Sequence, residues 1–267
     1  MTILTLRTQP QAPLEAGVIT PDQFMSKPAA ALARLPVVHG NEQACLGDFF
    51  AVDGEGSTEL ILNGDLSRVK WIGAGMTMGS VTIHGDSGMH LGAGMRGGEI
   101  NAFGNTGDWA GAEINGGKLH IRGNTGHGLG GAYRGSRHGM NRGLIIVEGN
   151  AGTETGAAMR RGLIAVKGDV GDFAGAFMIA GTIVVFGSLG IRAGAGLLRG
   201  TIVAFRQTEL LPTYRYACRY HPLFLDKILR ELQSHGVAIP DIAGRCFRRY
   251  SGDFNRLGKG EILIIDD

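Results

Sequence analysis

At 267 residues, the chain holds 46 glycines but only 8 prolines, and 43% of its residues are apolar; this is far above the usual ~7% glycine, yet too apolar for a disordered linker. A net charge of +2 gives no ground for nucleic-acid or membrane binding, and three widely separated cysteines, Cys45, Cys218 and Cys246, argue against a disulfide framework or a metal ribbon. No third-residue glycine period supports collagen, and with no leader-like start and no run of about 20 apolar residues, a cytoplasmic location is the default.

Residues 1–56 read as a mixed α/β cap. Thr20 is a helix N-cap followed by Pro21 at the first helical position. Lys27-Pro28 leads into the Ala-rich stretch 29–35, and Asp48-Phe49-Phe50-Ala51-Val52 reads as a strand leading into the repeat region.

Residues 57–205 are a repeat. Glycines opening short alternating segments fall at Gly79, Gly98, Gly117, Gly143, Gly162, Gly181 and Gly200, spaced by 19 residues except for a single 26. That exception marks a seven-residue insertion, 135–141. Closing glycines (Gly85, Gly104, Gly123 and onward) and corner glycines (Gly92, Gly111, Gly130, Gly156, Gly175, Gly194) keep the same spacing, and a degenerate unit at Leu60–Gly64 precedes them. The second and fourth residues after each opening glycine are apolar, as in Ile145/Val147 and Ile164/Val166, so alternation puts them on one face. One such strand cannot bury that face alone, whereas stacked units can. The expected fold is all-β: a single-stranded parallel β-helix of about 7–8 coils, right-handed by the general crossover preference. Asn or Asp after each closing glycine (Asp86, Asn105, Asn124, Asn150, Asp169) suits a turn and stacking between coils.

The literal G-x-G-x-x-G at 92–97 is then a corner rather than a phosphate cradle. A dinucleotide fingerprint must open a helix, and here an alternating five-residue segment comes next.

Residues 206–267 form a C-terminal extension with one helix, starting at Pro222 and ending by Gly236, and a last strand at 262–264. The outward positions of the later units turn apolar (Leu144/Ile146, Val184/Phe186, Val203/Phe205) and need a cover, either the C-terminal helix or a neighbouring protein in an assembly.

Catalytic signals are sparse. The eight histidines form no metal-ligating pair, so His84 and His120 read as exposed strand residues, and Cys218, three residues before His221, reads as a packed thiol. Arginines recur beside the opening glycines: Arg142, Arg160, Arg161 and Arg199. They are either solvated corners or a basic stripe able to hold carboxylates through paired donors.

The glycine repeat resembles the β-helix shared by two families, the C-terminal domain of the glutamate synthase large subunit and the C subunit of formylmethanofuran dehydrogenase. The flanking segments LTLRTQPQAPLEAGVITPDQF, GDFFAVDG, LLPTYRYACRYHPLFL and RRYSGDFNRLGKGEILI resemble the second of these, most of all its bacterial form in a formyltransferase/hydrolase complex. That resemblance implies a cytoplasmic non-catalytic scaffold, with subunits A, B and D as partners. The complex passes the formyl group from 5-formyl-tetrahydromethanopterin to a methanofuran-type carrier and releases formate in formaldehyde oxidation. It also implies that the carrier and the hydrolase metal sit in the other subunits and that no cofactor belongs to this chain. The alternatives are a module in which the arginine stripe holds the carrier's polyglutamate tail, or the C subunit of an archaeal tungsten or molybdenum enzyme.

Overall fold

The computed structural model describes residues 1–240 and 244–266. It opens with β1 (Thr2–Leu6), β2 (Leu14–Glu15), helices α1 (Pro21–Phe24) and α2 (Ala29–Ala33), β3 (Pro36–His39), β4 (Glu42–Cys45), α3 (Leu46–Phe49) and β5 (Phe50–Asp53). The repeat supplies β6 (Glu59–Asn63), β7 (Val69–Lys70), β8 (Ser80–His84), β9 (Glu99–Ala102), β10 (Asn115–Ile121), β11 (Arg142–Val147), β12 (Leu163–Val166), β13 (Thr182–Val185) and β14 (Thr201–Ala204). The chain closes with β15 (Arg215–Tyr220), α4 (Leu223–Ser234), β16 (Phe247–Gly252) and β17 (Gly260–Ile265).

A 13-stranded sheet in the order β15-β16-β17-β14-β13-β12-β11-β10-β9-β8-β6-β1-β5 dominates an all-β fold with few helices. From β6 to β14 its strands are parallel, and Ile145, Ile164, Ile183 and Ile202 stand directly beside one another in register. A second ladder of single parallel bridges links Leu66, Ser87, Thr106, Thr125, Ala151, Val170 and Leu189. At the corners, backbone N–H groups reach the next unit, as His90 does to the carbonyl of Asp108 at 2.9 Å and Phe173 to that of Ile191 at 3.0 Å. Each 19-residue unit therefore meets its neighbours at three places.

The inward pairs behave as the alternation requires. Ile100, Leu119, Ile145, Ile164, Ile183 and Ile202 are all fully buried. A further interior column runs Met76, Met95, Ile114, Met140, Met159, Met178, Leu197. Its methionines explain the opening glycines. A side chain at Gly162, held at φ +107°, would meet the Met140 methyl at 2.6 Å. The flexible thioether fills the space a Cβ would need.

Asn and Asp after the closing glycines form a side-chain ladder. Asn105 Oδ1 accepts the N–H of Asn124 at 2.9 Å, Asn124 Oδ1 that of Asn150 at 2.8 Å, and Asn150 Oδ1 that of Asp169 at 2.7 Å.

The ends are built differently from the expectation. The strand at 48–52 begins only at Phe50, because α3 occupies 46–49, and it pairs antiparallel with β1 at the sheet edge. It is β1 that runs parallel beside β6, its alternating Leu4 buried in the same column as Leu60 and Leu62. At the other end β17 continues the parallel series next to β14, then β16 and β15 turn antiparallel. α4 starts on Pro222 and lays Leu225, Leu229 and Leu232 onto Ile146, Ala165, Val184 and Val203. The chain's own helix thus covers the apolar outer positions.

Candidate functional site

The arginines divide. Arg160, Arg161 and Arg199 line one shallow groove with Ile179, Ala180, Leu198 and Leu257, while Arg142 stands outside it. Arg161, Ala180 and Arg199 take the same place in three consecutive units, just before Gly162, Gly181 and Gly200. At ~4.8 Å per strand, the backbones of Arg161 and Arg199 lie about 10 Å apart, with an alanine between them. Backbone bonds fix the groove floor: Arg160 N–H to the Met140 carbonyl (2.8 Å), Ile179 to Met159 (2.7 Å) and Leu198 to Met178 (2.9 Å). All three arginines are exposed, and among the described residues none makes a side-chain ion pair. Such a groove can hold carboxylates through paired N–H donors.

A second feature occupies the unit corners. Trp71, His90, Trp109, Glu154, Phe173 and Arg192 all have left-handed φ between 61° and 68°. Each precedes by two a corner glycine that turns inward; a Cβ on Gly156 would lie 2.6 Å from Ile183 Cδ1. The bulky residues accept left-handed backbone while glycine takes the position facing the core. Trp71 stacks on His90 with ring centroids 4.0 Å apart, and Tyr133, two residues before the insertion, leans on both and on Trp109. His90 Nδ1 lies 2.8 Å from the Tyr133 hydroxyl. Burial, with Lys70 adding to it, holds His90 below the ordinary histidine value, and burial pushes the Tyr133 phenol up. The glycine pattern alone does not single out this column. Its signal is nonetheless in the sequence, as large residues at 19-residue spacing two places before the corner glycines.

The same corners bear on the G-x-G-x-x-G stretch. Gly92 and Gly94 are left-handed corner residues, and β9 comes after them, with no helix to receive a phosphate.

The histidines and cysteines depart from expectation in two places. His120 is 2% exposed, with Nε2 3.1 Å from Glu148 Oε1. Its pKa is lowered, chiefly by burial and then by Arg122. Cys218 is exposed on β15 rather than packed, and His221 is engaged by Asp226 and the Arg245 carbonyl. Among the described residues, no three His, Cys, Asp or Glu side chains gather as a metal-binding group, and no helix is long and apolar enough to cross a membrane.

No protein-family model matches the chain. Over 94 residues it is 42% identical to the C subunit of the tungsten-containing formylmethanofuran dehydrogenase 2 of Methanothermobacter thermautotrophicus, covering 33% of this chain and 35% of that one. Over 83 residues it is 41% identical to the C subunit of the molybdenum-containing formylmethanofuran dehydrogenase 1 of Methanosarcina barkeri, covering 29% and 28%. The chain thus spans about a third of the length of the curated relatives it matches. A chain in the crystal structure of the formyltransferase/hydrolase complex (FhcABCD) from Methylorubrum extorquens with methylofuran matches throughout, at 34% identity, TM-score 0.93, and coverage of 99% of this chain and 100% of that one. The protein belongs to the family of formylmethanofuran dehydrogenase C subunits. In this member of the family the groove gathers arginines from successive units, and the corner column stacks aromatic rings.

Proposed function

We propose that this chain is the structural, non-catalytic C subunit of a formyltransferase/hydrolase complex with partner subunits A, B and D. The complex moves the formyl group from 5-formyl-tetrahydromethanopterin to a methanofuran-type carrier and releases formate in the cytoplasm. The carrier and the hydrolase metal belong to the other subunits. The observation that carries this reading is the end-to-end likeness to a chain of such a complex, both flanks included.

In this reading residues 57–205 are a right-handed parallel β-helix, closed by a cap at 1–56 and extended by 206–267. The three inter-unit ladders and the two antiparallel ends support it. A stack of units whose ends are covered and whose corners stay open suits the joining of larger subunits. The test is omission: without this chain, the remaining subunits should fail to assemble. Normal assembly and turnover in its absence would refute the role.

A second reading rests on the groove of Arg160, Arg161 and Arg199. In it, these arginines hold the anionic tail of the carrier, with Arg142 further along the stripe. Reversing Arg160 and Arg161 to Glu should then weaken carrier binding by the assembled complex; unchanged affinity dismisses it.

A further inference from the structure

Beside the arginine groove, and separate from it, lies a face of unusual composition. The segment that leads into the insertion lines a cleft. Tyr133, Arg134 and Ser136 stand over Ala157, Ala158 and Ala176, and opposite them rise Phe173 and Phe177. The result is a half-enclosed cleft of ≈ 460 Å³ with a floor of alanines and aromatic walls. Phe177 is 59% exposed, held at φ 54° with its ring folded over Gly196 of the next unit. Arg192 sits over the Phe173 ring at 5.3 Å and Arg256 over Phe177 at 5.9 Å. The turn carrying Arg256 is anchored by Asp253, which accepts the N–H of Gly196 at 3.0 Å.

Two properties of this face go together. Phe177 is exposed, with Phe173 and Tyr133 half-buried beside it, and contiguous aromatic surface of this kind marks an interaction site. Its exposed charges are also mostly basic: Arg134, Arg192 and Arg256 against Glu154. Among the described residues, Arg134, Arg192 and Arg256 make no side-chain ion pair, whereas the chain's ion pairs cluster around Glu148, Glu261 and Asp266. The carboxylates on this side are Glu154, exposed at the cleft, half-buried Glu113 and Asp172, which accept the N–H groups of Tyr133 and Ile191, and Asp253, which is 4% exposed and bonded to backbone N–H groups. Arginines laid on phenylalanine rings keep their N–H donors free for a carboxylate, and Phe, Tyr and Arg are the residues that concentrate in interface cores. A second copy of this chain would bring the same arginines against themselves, so like charges disfavour self-association here.

We infer that the Phe173–Phe177–Tyr133 cleft with its Arg192 and Arg256 rim docks an acidic segment of a partner protein, an apolar side chain of that segment filling the cleft. The inference rests on the reading that the chain works inside a multi-subunit assembly.

The test uses the native assembly. With Phe177→p-benzoylphenylalanine in the full chain, illumination should cross-link position 177 to a segment of another subunit bearing Asp or Glu. A cross-link confined to a second copy of this chain, to a non-peptide ligand or to a segment without acidic residues overturns the inference, as does no cross-link. In parallel, Arg192→Glu/Arg256→Glu should weaken retention of the chain in the assembly at least about tenfold and abolish its salt dependence, with the melting temperature of the isolated chain unchanged. Wild-type retention overturns the inference. Arg160→Glu/Arg161→Glu, outside the cleft, should leave retention unchanged. If omitting the whole chain leaves the assembly intact, the scaffold reading falls. If omission dissolves the assembly while the face variants are retained like wild type, only the docking assignment falls.

Discussion

Gly156→Ala separates two causes of glycine at the corners. The residue has φ +68°, and an added Cβ would lie 2.6 Å from Ile183 Cδ1 and 3.4 Å from Ile164 Cδ1. Left-handed backbone costs an alanine about 1–2 kcal/mol. Forcing a methyl into the filled column adds about 1–3 kcal/mol of overpacking. Gly94 provides the matched control. Its φ is +64°, and nothing lies within 4 Å of an added Cβ, so Gly94→Ala carries the backbone cost alone. Urea unfolding followed by circular dichroism should show Gly156→Ala losing about 2–5 kcal/mol and Gly94→Ala about 1–2 kcal/mol, with unchanged m-values. Ile183→Val removes the colliding methyl. Alone it should cost about 0.5–1.5 kcal/mol, and combined with Gly156→Ala it should cost less than the sum of the two. Equal losses for the two glycine variants, or strict additivity of the pair, would refute the claim that corner glycines face the isoleucine column.

Three further outcomes are expected. Asn124→Ala removes an acceptor and a donor from the asparagine ladder and should cost about 1 kcal/mol in the same assay, whereas Asn124→Asp, which keeps the bond to the Asn150 N–H, should cost less. His90 and His120 are both held below the ordinary histidine value of 6.5, chiefly by burial. The unfolded chain therefore takes up their protons first, and stability should fall as pH drops below 6.5, with carboxylates such as Glu148, held below 4.5, adding their loss only at lower pH. Chemical denaturation at about pH 7 and about pH 5.5 should show a shallower fall for His120→Gln than for wild type. Leu229→Ala strips a 4%-exposed anchor of α4 from the outer face and should cost about 2–5 kcal/mol, with a rise in binding of an apolar dye as Val184 and Val203 are uncovered. An unchanged dye signal would show that α4 is not the cover.

The repeat was legible because its constraint is local and periodic. An aliphatic pair that needs neighbours above and below leaves a 19-residue trace, and Pro222 with the stripe Leu225, Leu229 and Leu232 announces α4 equally clearly. The ends were less legible. β1 and β5 are chosen by pairing partners distant in the chain, and nothing in Phe50–Asp53 itself says that it will lie antiparallel at the edge. β15 is exposed along nearly all its length, so Cys218 has no burial pattern to betray its setting. The arginine groove was legible in part. Register placed Arg161 and Arg199 on one stripe, but Leu257, on the groove's far wall, arrives from a turn more than 50 residues later. The corner aromatics were passed over because glycine is the usual left-handed residue, and only the backbone shows Trp71, Trp109 and Phe173 in that conformation.

Removal of one whole unit tests the central claim most directly, that each 19-residue segment is a single rung of one column. Deleting residues 98–116 joins Gly97 to Gly117 and should seat Leu119 and Ile121 beside Val81 and Ile83, the places now held by Ile100 and Ala102. The shortened protein should keep its strand signature per residue and melt cooperatively, while deletion of residues 98–107, half a unit, should abolish both. Cooperative folding of the half-unit deletion, or collapse of the full-unit deletion to the same state, would contradict the account.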